Sequence, residues 1–176
     1  MLHSLRLLLL GVHFLVAGAI NLVIVLLRPF NPDNSRRCGR VYSLPALQFL
    51  GLELQLQDEV LRTLGRPCVI VANHQSNFDL FMFGCAVPPL KKGAFQMAIT
   101  AGVPIVPLCC NAYINSMRLN RWRSGQLIIR ALPPIPTAGL TLDDMPALME
   151  RCREQMADCI DALDTAAAAT AASPAH

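Results

Sequence analysis

Residues 7–27 run without a formal charge between Arg6 and Arg28, with His13 and Asn21 as the only strongly polar side chains among them. As a helix rising 1.5 Å per residue the run extends about 31 Å, close to the thickness of a bilayer's hydrocarbon core. Such a segment is either a membrane anchor or a secretory signal. Ala17-Gly18-Ala19 resembles a cleavage site, but the apolar run continues from Ile20 to Leu27 beyond it, which favours a retained anchor. Arg28, Arg36, Arg37 and Arg40 outnumber Arg6, so the charge bias puts the C-terminal domain on the cytoplasmic side of a bacterial-type inner membrane or its equivalent. A hydrophobic content of 53% and a mean hydropathy of +0.42 agree with membrane association. A second, shorter apolar segment covers residues 41–50, after a linker-like stretch from Arg28 to Arg40. The two segments together can form a helical hairpin dipping into one leaflet, and hydropathy does not separate that geometry from a spanning helix.

The rest of the chain alternates strand and helix patterns. Leu52 to Gln57 alternates apolar and polar residues, which predicts a half-buried strand with its leucines inward. Cys68 to Ala72 reads as a buried strand, Gly93 to Ala101 as a helix closed by Gly102, and Val103 to Cys110 as a second buried strand. Pro104 and Pro107 limit the ladder of that strand. Gln126 to Leu132 predicts another strand, ended by Pro133-Pro134. From Asp144 to Leu163 apolar side chains recur at helical spacing: Met145, Leu148, Met149, Cys152, Met156, Cys159, Ile160 and Leu163. Residues 1–50 are therefore expected to be a membrane anchor, 51–164 an α/β domain, and 165–176 a disordered tail. The fold class is α/β: a shortened mixed sheet flanked by helices, carried by an N-terminal membrane helix or hairpin.

Composition removes several functions. A formal charge of +3 over 176 residues is too small for a nucleic-acid binder, though it suits anionic lipid headgroups. Seven cysteines form no C-x-x-C pair and no metal-ligand spacing; they read as buried thiols in a reducing compartment, and no metal is expected.

Chemistry concentrates in residues 73–79, Asn-His-Gln-Ser-Asn-Phe-Asp, directly after the Cys68–Ala72 strand. His74 and Asp79 stand in an H-x4-D arrangement. A carboxylate beside an imidazole fixes its tautomer and stabilises the imidazolium, so the pair can act as a general base on a substrate hydroxyl. The competing reading is a structural hydrogen bond. His3 and His13 lie in the apolar segment and His176 ends the tail, so His74 is the candidate base. Asn73 and Ser76 either contact substrate or brace the loop through local backbone.

The block resembles the first signature of the glycerolipid acyltransferases, specifically the 1-acyl-glycerol-3-phosphate acyltransferases. Leu90-Lys91-Lys92-Gly93-Ala94-Phe95 resembles a later basic-Gly-Ala-Phe segment of that family, and Gly102-Val103-Pro104-Ile105-Val106-Pro107-Leu108 its last block. The resemblance implies acyl transfer from a thioester, acyl-CoA or acyl carrier protein, to the free hydroxyl of 1-acyl-glycerol-3-phosphate, giving phosphatidic acid. His74 would be the base and Asp79 its orienting partner, with no cofactor beyond the donor substrate. Two blocks of the family, Gly-x-x-Phe-Ile-x-Arg and Phe-Pro-Glu-Gly-Thr-Arg, are absent, and Pro88-Pro89 runs straight into Leu90-Lys91. Those blocks carry the family's phosphate-gripping arginines. Substitutes in this chain are Lys91 and Lys92, then Arg118 and Arg121 beside Trp122 and Arg123. Glycerol phosphate or other lysolipids are alternative acceptors. Two non-enzymatic readings also stand: a truncated, catalytically dead remnant, and a small membrane adaptor that binds acyl carrier protein or acidic lipid.

Overall fold

The computed structural model of the chain describes residues 1–73 and 92–172. The described residues fall into two compact units: residues 1–54 with 116–126, and residues 55–73 with 92–115 and 127–172.

In the first unit, α1 (Leu2–Leu27) and α2 (Asn34–Leu50) form an antiparallel hairpin. The helix α1 is long and apolar enough to cross a membrane by length and composition, with a mean hydropathy of 2.4. Most of its leucines and valines are exposed, including Leu8, Leu15, Leu22 and Leu27. The polar side chains of α1 face its partner instead. His13 lies 3.0 Å from the Tyr42 carbonyl oxygen through Nε2, and Asn21 Nδ2 donates to the Cys38 carbonyl at 3.5 Å. The turn between the helices is tied by Asn34 Nδ2 donating to the Arg28 carbonyl at 2.6 Å, and it holds Phe30 at φ 60°. The stretch read as linker-like is thus helical from Asn34 onward. Its start carries exposed Arg36, Arg37 and Arg40. Pro45 sits inside α2, where its missing N–H leaves one intrahelical bond unmade.

Gly51 closes α2 in the left-handed conformation (φ 68°). Two constraints select glycine here. A side chain is strained at that φ, and a Cβ would stand 2.5 Å from Arg6 Nη2 and 2.6 Å from the Trp122 carbonyl oxygen.

Four strands make one mixed sheet in the order β1-β4-β3-β2: β1 (Leu52–Gln57), β2 (Val69–Ala72), β3 (Ile105–Cys110) and β4 (Gly125–Ala131). β2 and β3 run parallel, with Val69 opposite Ile105 and Ala72 opposite Leu108. β3 and β4 run antiparallel, with Leu108 opposite Ala131 and Cys110 opposite Ile129. Every residue of β3 is buried, which accounts for its unbroken apolar sequence. Pro107 still accepts the Leu132 N–H at 2.8 Å through its carbonyl, and beyond the two prolines Ile135 exchanges backbone bonds with Ile105. The inward leucines expected of β1 hold only for Leu52. Leu54 and Leu56 are 39% and 49% exposed, because β1 lies at the sheet edge and has a partner strand on one side only.

In the second unit, α3 (Glu59–Thr63) follows β1, and α4 (Lys92–Ala101) leads through Gly102-Val103-Pro104 into β3. α5 (Tyr113–Ser116) follows β3, and a 3₁₀ turn (Leu142–Asp144) opens α6 (Met145–Ala172). Thr141 and Asp144 form a reciprocal capping box, and the bonds from Thr141 hold the Asp144 carboxyl below the usual carboxylate range. The core joins Val71, Phe95, Ala98, Ile105, Cys109, Ile128 and Ile135 to Leu148, Cys152, Met156, Cys159 and Leu163 of α6. That is the stripe expected from the sequence. The helix runs further than expected, through Ala172, into the stretch read as a disordered tail. Thr165 and Thr170 bond back to the carbonyls of Asp161 and Ala166, and Ala167 is buried, so apolar and helical signals persist beyond Leu163.

Candidate active site

The first block follows β2, and its opening residue is Asn73. The ladder between β2 and β3 ends at Ala72 and Leu108, and the Asn73 side chain extends it artificially. Its Nδ2 donates to the Cys110 carbonyl at 2.8 Å while its Oδ1 accepts the Cys110 N–H at 2.8 Å. A side-chain amide has one donor and one acceptor in nearly the geometry of a peptide, so it satisfies a buried backbone pair without continuing the strand. The β2–β3 ladder therefore ends at Ala72, and the Asn73 side chain pairs with Cys110 beyond it.

Two further polar side chains fix the same carboxyl end of the parallel pair. Asn111, 1% exposed, accepts the Ile128 N–H on its Oδ1 at 2.8 Å, prolonging the β3–β4 ladder past Cys110. Asp164 of α6 accepts the Ala112 N–H at 2.6 Å. Neither residue was singled out from sequence. Asn111 carried a signal, a short polar residue ending an apolar strand, whereas Asp164 looked like the last turn of a helix that in fact continues.

Lys92 is exposed at the start of α4. α4 passes through Gly102-Val103-Pro104 into the amino end of β3, so Lys92 lies at the end of the described helix away from that junction. Arg118 and Arg121 are exposed on the segment before β4 and belong to the first unit, whereas Asn73 and Lys92 belong to the second. His74, Ser76, Asp79 and Lys91 lie outside the described residues.

Among the described residues no group of three or more His, Cys, Asp or Glu side chains could hold a metal. The described cysteines are free thiols. Burial pushes the Cys109 thiol far up, with Cys159 and Cys152 adding to the effect, and burial pushes Cys152 up to about 11. These groups stay protonated near neutral pH and pack as apolar side chains.

No family model matches the chain. Individual proteins do. The human 1-acyl-sn-glycerol-3-phosphate acyltransferase alpha is 49% identical over 70 residues, which is 39% of this chain and 25% of that protein. The 1-acyl-sn-glycerol-3-phosphate acyltransferase of Haemophilus influenzae is 37% identical over 98 residues, covering 52% and 41% respectively. The Escherichia coli protein of the same name is 37% identical over 103 residues, covering 53% and 42%. Over part of its length the chain is similar in sequence to 1-acyl-sn-glycerol-3-phosphate acyltransferases. It spans between a quarter and about two-fifths of the length of these relatives. Its fold is similar to the crystal structure of the 1-acyl-sn-glycerophosphate acyltransferase PlsC from Thermotoga maritima. The TM-score is 0.64 over 93% of this chain and 99% of that one, at 16% identity. Structural likeness to that acyltransferase therefore extends over nearly the whole chain, whereas sequence identity to the curated acyltransferases is confined to part of it.

Proposed function

We propose that this chain is a membrane-anchored O-acyltransferase. It moves a fatty acyl group from a thioester, acyl-CoA or acyl carrier protein, to the free hydroxyl of 1-acyl-glycerol-3-phosphate and forms phosphatidic acid. The observation that carries the reading is the 49% identity over 70 residues to a 1-acyl-sn-glycerol-3-phosphate acyltransferase, joined to the H-x4-D pair that follows the β2 segment in the sequence. His74 takes the proton of the acceptor hydroxyl and Asp79 orients the imidazole. The hydroxyl oxygen bonds to the thioester carbon, the carbon–sulfur bond breaks, and the departing thiolate takes the proton back from the imidazolium. Lys91 and Lys92 grip the acceptor phosphate in place of the missing arginine blocks. No cofactor enters the scheme; the acyl donor is a substrate.

The hairpin rests in one leaflet, with the catalytic domain on the cytoplasmic side. Support comes from the pairing of α1 with α2 along their length, which forces both helices to take the same path. A spanning hairpin would put Arg40 about 15 Å from Leu50, deep in the hydrocarbon. Each of Arg36, Arg37 and Arg40 near that depth costs about 2.5–3.5 kcal/mol. Lying in the interface, the same three side chains reach headgroups while the exposed leucines of α1 enter the acyl layer.

The test is acyl transfer to lysophosphatidate by the purified chain with each donor, beside His74→Ala. Turnover in the wild type and its loss in the variant support the reading; full activity of the variant refutes it. The missing phosphate blocks favour a second reading, a family-shaped remnant or adaptor without catalysis. Its signature is a folded wild type with no turnover from either donor.

A further inference from the structure

The single tryptophan of the chain stands on a short basic segment, Arg118-Leu119-Asn120-Arg121-Trp122-Arg123, before β4. Its side chain is 83% exposed, and the three arginines around it are exposed as well. The backbone beneath is held fast. Arg6, only 4% exposed, donates from Nη1 to the Leu50 carbonyl at 2.8 Å and from Nη2 to the Trp122 carbonyl at 2.6 Å. Ser124 donates its N–H to the Gly51 carbonyl at 2.8 Å and its hydroxyl to the Leu50 carbonyl. The Arg118 N–H bonds the Ser124 carbonyl at 2.6 Å, and the Arg121 N–H bonds the Arg118 carbonyl at 3.0 Å. A buried arginine of α1 thus fastens a rigid loop to the root of the hairpin while the loop's large side chains face outward. Leu5, Leu7, Leu8 and Leu9, exposed on the first turns of α1, flank the same arginine in sequence.

We infer that this loop is a second membrane contact: Arg118, Arg121 and Arg123 bind anionic phospholipid headgroups and Trp122 enters the interfacial layer, which fixes how deeply α1 is immersed. The inference rests on the membrane reading of α1 given above. Three observations favour a bilayer over an acidic protein. The loop exposes aromatic and basic side chains, and the α1 turn whose Arg6 holds it exposes leucines, the two side-chain classes that a headgroup layer and an acyl layer take up. The segment carries three arginines in six residues, and no Asp or Glu occurs in the sequence between Asp79 and Asp143. The latch is made to α1, the element that would be immersed, so the depth of one sets the depth of the other.

Because Trp122 is the only tryptophan, the unmodified chain reports on itself. The full chain is reconstituted with phosphatidylcholine vesicles, with and without phosphatidylglycerol, and flotation establishes that it is bound. With phosphatidylglycerol, Trp122 emission should shift to the blue, acrylamide quenching should be lost, and lipids brominated near the carbonyl should quench it. High salt should reverse the shift by screening the headgroup charge. A triple R118Q/R121Q/R123Q variant should still float through α1 but emit as in water. The inference fails if Trp122 of the floated wild type stays red-emitting and open to acrylamide in both lipids. It fails equally if the triple variant shifts like the wild type. Emission that responds to acyl carrier protein without lipid, and not to vesicles, would overturn it in favour of a protein partner. A chain that does not float removes the membrane reading of α1 itself, a separate failure that the flotation step identifies.

Discussion

Removing the Asn73 amide should cost stability and catalysis by two distinct routes. Cys110 is 1% exposed, and both its N–H and its C=O are bonded at 2.8 Å by the Asn73 side chain. An orphaned buried polar group costs about 1–3 kcal/mol, so losing both partners spans roughly 2–6 kcal/mol. Asn73 itself is only half buried, so water reaches part of the gap, and a loss of about 2–3 kcal/mol is expected for Asn73→Ala. Asn73→Asp separates this from a mere packing effect. Its carboxylate still accepts the Cys110 N–H but sets a second oxygen against the Cys110 carbonyl, where only a proton donor fits. The neutral acid restores the donor. The folded state therefore favours the protonated form and raises this carboxyl above its ordinary value of about 3.9. Stability from that proton is fully present below the unfolded pKa and is lost as pH rises through the folded one. Asn73→Asp should be close to wild type near pH 4 and clearly weaker at pH 7.

Denaturant unfolding in micelles, followed by far-ultraviolet circular dichroism at several pH values, measures both variants. Under the proposed role of His74 as base, Asn73→Ala should also lower kcat with little change in KM in an active wild type, since the residue preceding the base loses its bonds to Cys110. A displacement of about 1 Å is enough for a loss on the order of 100-fold. The reasoning is wrong if Asn73→Ala unfolds within 0.5 kcal/mol of the wild type, the usual span of a neutral surface change. A pH-independent penalty in Asn73→Asp would refute it as well.

Gly51→Ala should destabilise by about 3–5 kcal/mol, combining left-handed strain with displacement of Arg6 and the Trp122 carbonyl. A double-mutant cycle with Arg6→Ala should recover at least 1 kcal/mol of that loss, and strict additivity would show that the two residues are not coupled. Native alkylation at pH 8 should label Cys38 and Cys68 while sparing Cys109, Cys110, Cys152 and Cys159; labelling of the buried four at the same rate would refute their burial. Since Cys152 is raised from 9.0 to about 11, its contribution should be present below about pH 9 and lost between about pH 9 and 11, seen as falling unfolding midpoints in alkali.

Periodicity carried most of the fold. The α6 stripe, the buried run of β3 and the apolar length of α1 each repeat one signal over several residues, and the structure realises all three. Where it did not, the deciding interaction lay far away in sequence. Residues 34–40 have no apolar stripe, yet they are helical in the hairpin, where the Cys38 carbonyl accepts from Asn21 of α1. Leu54 and Leu56 alternate as an inward face should, yet edge position leaves them exposed. Arg6 read only as the flank of an apolar run, although it binds a carbonyl 116 positions away. No local pattern encodes such a contact.

The candidate site shows the same division. The H-x4-D pair proposed for it is a local motif that can be read from the sequence, but the side chains that end the neighbouring strands cannot. Asn73 and Asn111 do not line a cleft by composition; each replaces one missing step of a β ladder, at the point where two adjacent strands must stop together. Ending a strand by a side chain has a consequence that ending it by a turn lacks. The backbone groups of Cys110 are satisfied without a further residue of β2, so the ladder can stop at Ala72. Alanine at residue 73 would leave the pairing of Val69 to Ala72 with β3 in place and remove both bonds to Cys110.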